Sequence, residues 1–178
     1  MTARRAKLLS PVEWLDSLQG SGIRPGLGRM RTLLRALGGP HRDYPSILIA
    51  GTNGKGSTSA MIASILDASG YRTGFYTSPH LIDIRERWQI EGRPIDEELL
   101  GACIEELQGA SKRARITPTY FEALTLIAFI AFSAIFMIGY LIFGVALLRA
   151  RAFARVPVVI LIVGPSCPTC RLGLCRCP

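Results

Sequence analysis

Ile47-Leu-Ile-Ala-Gly-Thr-Asn-Gly-Lys-Gly-Ser-Thr58 is the stretch on which the reading of the fold turns. A short apolar, β-branched run leads into a loop with glycines at 51, 54 and 56 and a lysine at 55, and an apolar helical pattern begins after Ser57. That order predicts strand, loop, helix. Backbone N–H groups of the loop and of the helix's first turn converge on one spot and, with Lys55, make a cradle for a polyphosphate. The glycines permit unusual dihedrals and let phosphate oxygens approach without a Cβ in the way. The spacing differs from the common Walker pattern, because Gly56 separates Lys55 from the hydroxyls of Ser57 and Thr58.

Downstream, Ser57 to Ser69 reads as a helix with Met61, Ile62, Ile65 and Leu66 on one face, closed at Gly70. Tyr71 to Thr77 reads as the next strand, which completes a β-loop-α-β unit, normally a right-handed parallel crossover. Thr77-Ser-Pro-His-Leu81 follows at the C-terminal end of that strand, where ligands sit in open α/β sheets. Ser78 is there either as a turn residue before Pro79 or as a hydroxyl ligand to Mg²⁺, and His80 caps or lines the loop. Trp88 to Gly92 predicts a short hairpin segment. Asp96 to Gln108 predicts an amphipathic helix, with acidic residues at its positive end and Leu99, Leu100, Cys103, Ile104 and Leu107 as the buried stripe. Lys112 to Thr117 reads as a basic linker, and Thr119-Tyr-Phe-Glu122 opens another helix.

Upstream, Ser10 is a plausible N-cap and Pro11 a first-turn residue for a helix carrying Val12, Leu15 and Leu18. A second helix, Arg29 to Leu37, is stopped by Gly38-Gly39-Pro40. Its Arg29, Arg31 and Arg35 read most simply as a solvated face, with a role in holding an anionic substrate as the alternative.

The net charge of +8 is unevenly distributed. Residues 1–45 hold eight Lys/Arg against three Asp/Glu, residues 46–111 five against nine, and residues 112–178 eight against one. Basic excess at both ends, without interleaved aromatics, argues against nucleic-acid binding. No secretory h-region follows the basic start, which points to the cytoplasm and a reducing compartment. Cys103 reads as a buried core residue. The other four cysteines form C-x2-C-x4-C-x-C at 167–177, whose second pair is too tight for a standard zinc site.

With these motifs in place, residues from about 10 to 133 resemble the N-terminal ATPase region of folylpolyglutamate synthase / dihydrofolate synthase, in the Mur ligase superfamily. The resemblance rests on Ala50-Gly-Thr-Asn-Gly-Lys-Gly-Ser57, Ile65-Leu66 with Gly70, Tyr76-Thr-Ser-Pro-His-Leu81, Glu86-Arg87 with Gly92, and Thr119-Tyr-Phe-Glu122. It implies an α/β fold with a P-loop-type parallel sheet flanked by helices. It also implies ATP-dependent addition of L-glutamate to dihydropteroate or a folylpolyglutamate through an acyl phosphate. ATP and Mg²⁺ are the implied cofactors. Thr52, Asn53, Gly54, Lys55, Gly56, Ser57 and Thr58 would hold ATP phosphates, with Lys55 as the catalytic charge partner. Ser78 would bind Mg²⁺, and Thr119 and Phe121 would lie near the pterin ring. Gly26, Leu27 and Arg29 resemble a segment near the substrate.

The pattern then departs from the family. The nearest match to its Glu-x-Gly-x-Gly-Gly segment, Val158 to Gly164, has Ile162 where a metal-bridging glutamate would stand. Residues 123–148 run 26 positions without a charge, long enough to span a bilayer, and Arg149, Arg151 and Arg155 follow. For a single span after a cytoplasmic domain those arginines lie on the wrong side. The expected organisation is a partial ATP-binding domain at 1–133 and an atypical hydrophobic, cysteine-rich tail at 134–178, from truncation or frameshift, leaving the isolated chain inactive. The alternative is a membrane-tethered, non-enzymatic nucleotide-binding module with a single-pass helix near 123–148.

Overall fold

The structure, a computed structural model, describes residues 10–22 and 24–134. The chain divides into two units, Met1–Ser133 and Ala134–Pro178, and the account below concerns the first. The Cys167–Cys177 cluster and the Ile162 position lie outside the described residues.

Four helices build the core. Helix α1, Pro11–Ser17, opens with a capping box: the Ser10 hydroxyl accepts from the Glu13 amide, and the Glu13 carboxylate accepts from the Ser10 amide. Helix α2 spans Gly28–Ala36, one residue earlier than the sequence pattern suggests. After α3, described below, helix α4 covers Glu97–Ala114 with Asp96 as N-cap, its side chain accepting from the Leu99 amide at 2.7 Å. Helix α5 is described over residues 120–134. Leu15, Leu33, Ile104, Leu107, Leu126 and Ile127 are completely buried where these helices meet. Each such side chain contributes about 1.5–3 kcal/mol by leaving water. Cys103 belongs to this core as expected, and burial pushes its thiol pKa up to about 12.

Two expectations about α4 need correction. The buried stripe is Leu100, Cys103, Ile104, Leu107 and Ala110, with Leu99 only partly buried. The first half of the segment read as a basic linker is helix: α4 runs on through Lys112 and Arg113, whose charges suit the negative end of the helix. Arg115, in the left-handed region at φ 53°, ends it.

A three-stranded antiparallel sheet lies beside the helices. Strand β1, Gly74–Tyr76, pairs with β2, Trp88–Ile90, in the register Gly74 to Ile90 and Tyr76 to Trp88. Strand β2 pairs with β3, Arg93–Pro94. Glu91 and Gly92 form the two-residue turn between them, both with positive φ (49° and 73°), the twist that suits a tight hairpin. Trp88 is completely buried, and its indole Nε1 donates to the Leu124 carbonyl at 3.1 Å, which fixes the sheet to α5.

The fold is therefore mixed α/β, but the parallel sheet expected from the β-loop-α-β pattern does not appear among the described residues. Ile47–Ala50 makes no strand ladder there, and only Ile49 of the run is partly buried: Leu48 is 92% exposed and Ile47 67%. The physical reason is the source of partners. A parallel neighbour must come from a distant crossover, whereas β1 finds its antiparallel neighbour in the next extended segment, where loop closure costs less.

Helix α3, Lys55–Ala68, begins two residues before the position expected and packs on β1. It has no fully buried residue, and Met61 and Ile65 from its apolar face are each about two-thirds exposed.

The apolar run from Ala123 is explained, as far as it is described, by the core. Ala123, Leu124, Leu126, Ile127, Ala128, Ile130 and Ala131 are all buried against the other helices and the sheet. Among the described residues no helix is long and apolar enough to cross a membrane, and the rest of the 123–148 span lies outside them.

Candidate functional site: a glycine loop at a bare helix end

The loop between Ala50 and Lys55 is positioned by α3. Gly54 occupies the N-cap in the left-handed region, φ 75°, a conformation that a side chain there would strain. No side chain caps the helix and no acidic residue stands in its first turn. The amides of Lys55, Gly56 and Ser57 lack i−4 carbonyl partners within the helix, and the partial positive charge of the helix end is concentrated there. Residues 51–58 are all exposed. The Lys55 ammonium folds back and donates to the Gly51 carbonyl at 2.5 Å and the Thr52 carbonyl at 2.8 Å. Thr52, Asn53, Gly54, Lys55, Gly56, Ser57 and Thr58 thus form one accessible, donor-rich, positively charged surface with no fixed anion of its own.

Because α3 and β1 are joined by a short turn and packed together, the start of the helix and the C-terminal end of the strand face the same way. The Thr73 hydroxyl donates to Asp67 and closes that turn. Ser78 lies exposed just past β1, joined to Pro79 by a cis peptide bond. His80 accepts at Nδ1 from Arg87 Nε at 2.8 Å. The Glu86 carboxylate takes hydrogen bonds from the amides of Leu81 (2.7 Å), Asp83 (2.9 Å) and Ile82 (3.1 Å), which hold its pKa below the ordinary range. The loop so fixed presents Leu81 and Ile82 almost fully exposed.

The residues expected near the substrate divide into two roles. Thr119 is buried and serves as a helix cap: its amide donates to Glu122 at 2.8 Å and its hydroxyl accepts from the Glu122 amide at 3.3 Å. Phe121 is 63% exposed, and so is Leu27, the residue before α2. Between them lies an ion pair the sequence did not predict. Arg29 donates through Nε to one Glu122 oxygen at 3.1 Å and meets the other through Nη2 at 3.0 Å. Arg29 also donates to the Arg24 carbonyl at 2.6 Å. Burial pushes the Glu122 carboxyl up, but its bonds to Arg29 and Thr119 outweigh that and hold it below the usual range. Arg29 is therefore not part of a solvated face. The signal was present: Glu122 is the lone carboxylate after residue 111, set at the edge of an apolar run.

Arg87, only 8% exposed, stands between these two groups. Its guanidinium lies near the phenols of Tyr76 and Tyr120; burial raises the pKa of both, and the Arg87 charge partly offsets the rise.

The sequence matches no protein-family model. Among curated proteins, the dihydrofolate synthase/folylpolyglutamate synthase of Bacillus subtilis is 37% identical over 138 residues, covering 75% of this chain and 32% of that protein. The folylpolyglutamate synthase of Thermotoga maritima superposes with a TM-score of 0.64 at 38% identity, over 70% of this chain and 30% of that one. The Escherichia coli FolC protein, solved in complex with DHPP and ADP, superposes with a TM-score of 0.64 at 36% identity, over 75% of this chain and 32% of its own. The chain spans about a third of the length of the relatives it matches. Glycine loop, helix, hairpin and Thr119–Glu122 cap together with these likenesses give one result: over roughly three-quarters of its length the chain is similar to about a third of the length of the folylpolyglutamate/dihydrofolate synthases.

Proposed function

We propose that the chain carries the nucleotide-binding part of a cytoplasmic, ATP-dependent ligase that adds L-glutamate to dihydropteroate or a folylpolyglutamate through an acyl phosphate. The observation that carries the reading is the uncapped start of α3 with Lys55 beside it, in a chain similar to a protein that was solved with ADP. The amides from Thr52 to Ser57 would hold the phosphates. The Lys55 ammonium, which has only neutral carbonyls as partners, would exchange them for phosphate oxygens, a stronger charge-assisted bond.

Mg²⁺ fits the donor set in a limited way. Among the described residues no group of three His, Cys, Asp or Glu could hold a metal, whereas the exposed Ser78 hydroxyl offers one hard oxygen. A magnesium ion retaining waters and phosphate oxygens needs little more from the protein. When bound it would offset charge on the transferring phosphoryl group. The protein's own part is to fix the phosphates at the helix end, to keep the exposed Phe121 ring available for stacking, and to orient the acid substrate between them.

Calorimetric titration of the whole chain with ADP tests the reading. Binding is expected, and Lys55→Met should weaken it by about ten-fold or more, the worth of a charge-assisted hydrogen bond. Absence of ADP binding at millimolar concentration, or equal binding by Lys55→Met, would overturn it.

A further inference from the structure

Three other arginines of the described structure are held by carboxylates, whereas the exposed Arg113 donates to the Ala36 carbonyl at 3.2 Å. Arg29 has Glu122, Arg72 has Glu91 at 3.1 Å, and Arg85 has Asp83 at 2.6 Å. Arg87 is more buried than any of these, yet among the described residues its one side-chain hydrogen bond goes to a neutral acceptor, His80 Nδ1. The nearby carboxylates are committed elsewhere: Asp83 to Arg85, Glu86 to three backbone amides, Glu122 to Arg29 and Thr119, and Asp16, which also acts on Tyr120, to the Gln19 amide group at 3.0 Å. The remaining groups around the guanidinium, Tyr76 and Tyr120, are phenols that burial keeps neutral. A buried cation without a counter-charge is costly and persists where something else supplies the anion.

The position identifies that anion. His80 comes two residues after Ser78, on the loop that continues from β1, and Tyr120 stands between Thr119 and Phe121. Arg87 therefore lies between the residues expected to hold the nucleotide's phosphates and those expected beside the pterin ring. We infer that Arg87 binds the carboxylate of the pteroate-type acid substrate through its two terminal nitrogens and holds it for phosphorylation. The planar guanidinium offers two parallel donors that match a carboxylate, and that bidentate geometry fixes which oxygen faces the phosphate loop. His80 occupies Nε, and among the described residues the two terminal nitrogens make no hydrogen bond. This assignment rests on the folate-ligase reading proposed above.

The test compares dihydropteroate with its neutral carboxamide analogue as ligands for the full chain in the presence of saturating ADP, for wild type, Arg87→Met and Arg87→Lys. Wild type should bind the acid about ten-fold or more tightly than the amide. Arg87→Met should bind acid and amide equally, with amide and ADP affinity unchanged, and Arg87→Lys should recover part of the preference. Without ligand, Arg87→Met should melt at the wild-type temperature or above, since an unpaired buried charge has been removed. If wild type binds ADP and both ligands without preferring the acid, or Arg87→Met keeps the preference, the assignment is wrong while the ligase reading stands. A lower melting temperature with loss of acid and amide binding together would make Arg87 a structural residue and also overturn it. If wild type binds neither ADP nor dihydropteroate, the ligase reading itself fails.

Discussion

The Arg29–Glu122 pair joins α2 to α5 and is the bond whose removal the structure lets one price most closely. Its side chains are 25% and 12% exposed, between the surface and the interior. Exposed pairs contribute about 0–1 kcal/mol, and stranding one partner of a fully buried pair costs about 3–5 kcal/mol. Arg29→Met removes both bonds to the carboxylate and leaves Glu122 charged and nearly enclosed, with the Thr119 amide as a remaining donor. The cost should be about 2 kcal/mol. Glu122→Gln keeps one carbonyl oxygen, which can accept from both the Thr119 amide and Arg29 Nε as the carboxylate's Oε2 does, but it sets an NH2 donor against Arg29 Nη2, so at least about 1 kcal/mol is expected. In the double variant no buried charge is stranded, and the coupling should be about 1 kcal/mol. Urea denaturation followed by circular dichroism reads these values directly; with a slope of about 2 kcal/mol per molar, Arg29→Met moves the midpoint by about 1 M. The pH dependence has a definite sign. The Glu122 carboxyl lies below its ordinary value of 4.5 in the folded protein, so its contribution is fully present above that pH and is lost as pH falls through the lower folded value. The gap between wild type and Glu122→Gln should therefore close as pH falls below 4.5 and through that lower folded value. A coupling below about 0.3 kcal/mol, or a gap that does not change over that range, refutes the claim that this pair joins the two helices.

Two further substitutions probe how the sheet is seated on α5. A Cβ added at Gly74 would lie 2.6 Å from Cδ1 of Phe132, so Gly74→Ala must displace an aromatic ring and should cost about 1–3 kcal/mol by the same denaturation measurement; no loss would mean that the ring moves freely. Trp88→Phe deletes the 3.1 Å indole bond to the Leu124 carbonyl from a fully buried site and should cost about 2 kcal/mol, read by differential scanning calorimetry; a loss under about 0.5 kcal/mol would show that the bond does not hold the sheet.

What could be read in the sequence was local and periodic. Ser10 and Pro11 announced α1, Asp96 and the spacing from Leu100 to Leu107 announced α4, and Thr119 with Glu122 announced the start of α5, because caps and a 3.6-residue period are written in neighbouring positions. The direction of strand pairing was not legible. The run Ile47–Ala50 has the residues of a buried parallel strand, yet composition says nothing about which segment becomes its neighbour, and among the described residues none does. Partners far apart in sequence were equally hidden: Arg29 with Glu122, and Trp88 with Leu124, are contacts that no local pattern encodes. Thr119 shows how a motif can be recognised while its side chain is already occupied, since its hydroxyl is taken up by the cap.

The two halves of the proposed site rest on unequal supports. Thr119, Glu122, Arg29 and Arg87 are anchored to α2, α5 and the sheet, where side chains are buried to completion. The glycine loop is mounted on α3, which has no fully buried residue and which Gly54 joins without a side-chain cap. Elements with few buried apolar contacts open at lower free energy than the core, so the phosphate side of the site is the softer one. A nucleotide that binds there must also order its own mount, and that part of the interaction is withdrawn from affinity. The Lys55 bonds to Gly51 and Thr52 add to this cost, because the ammonium must leave both carbonyls before it can reach a phosphate. On the proposed reading, nucleotide affinity then depends on how firmly α3 is held against β1 as well as on Lys55 and the loop amides.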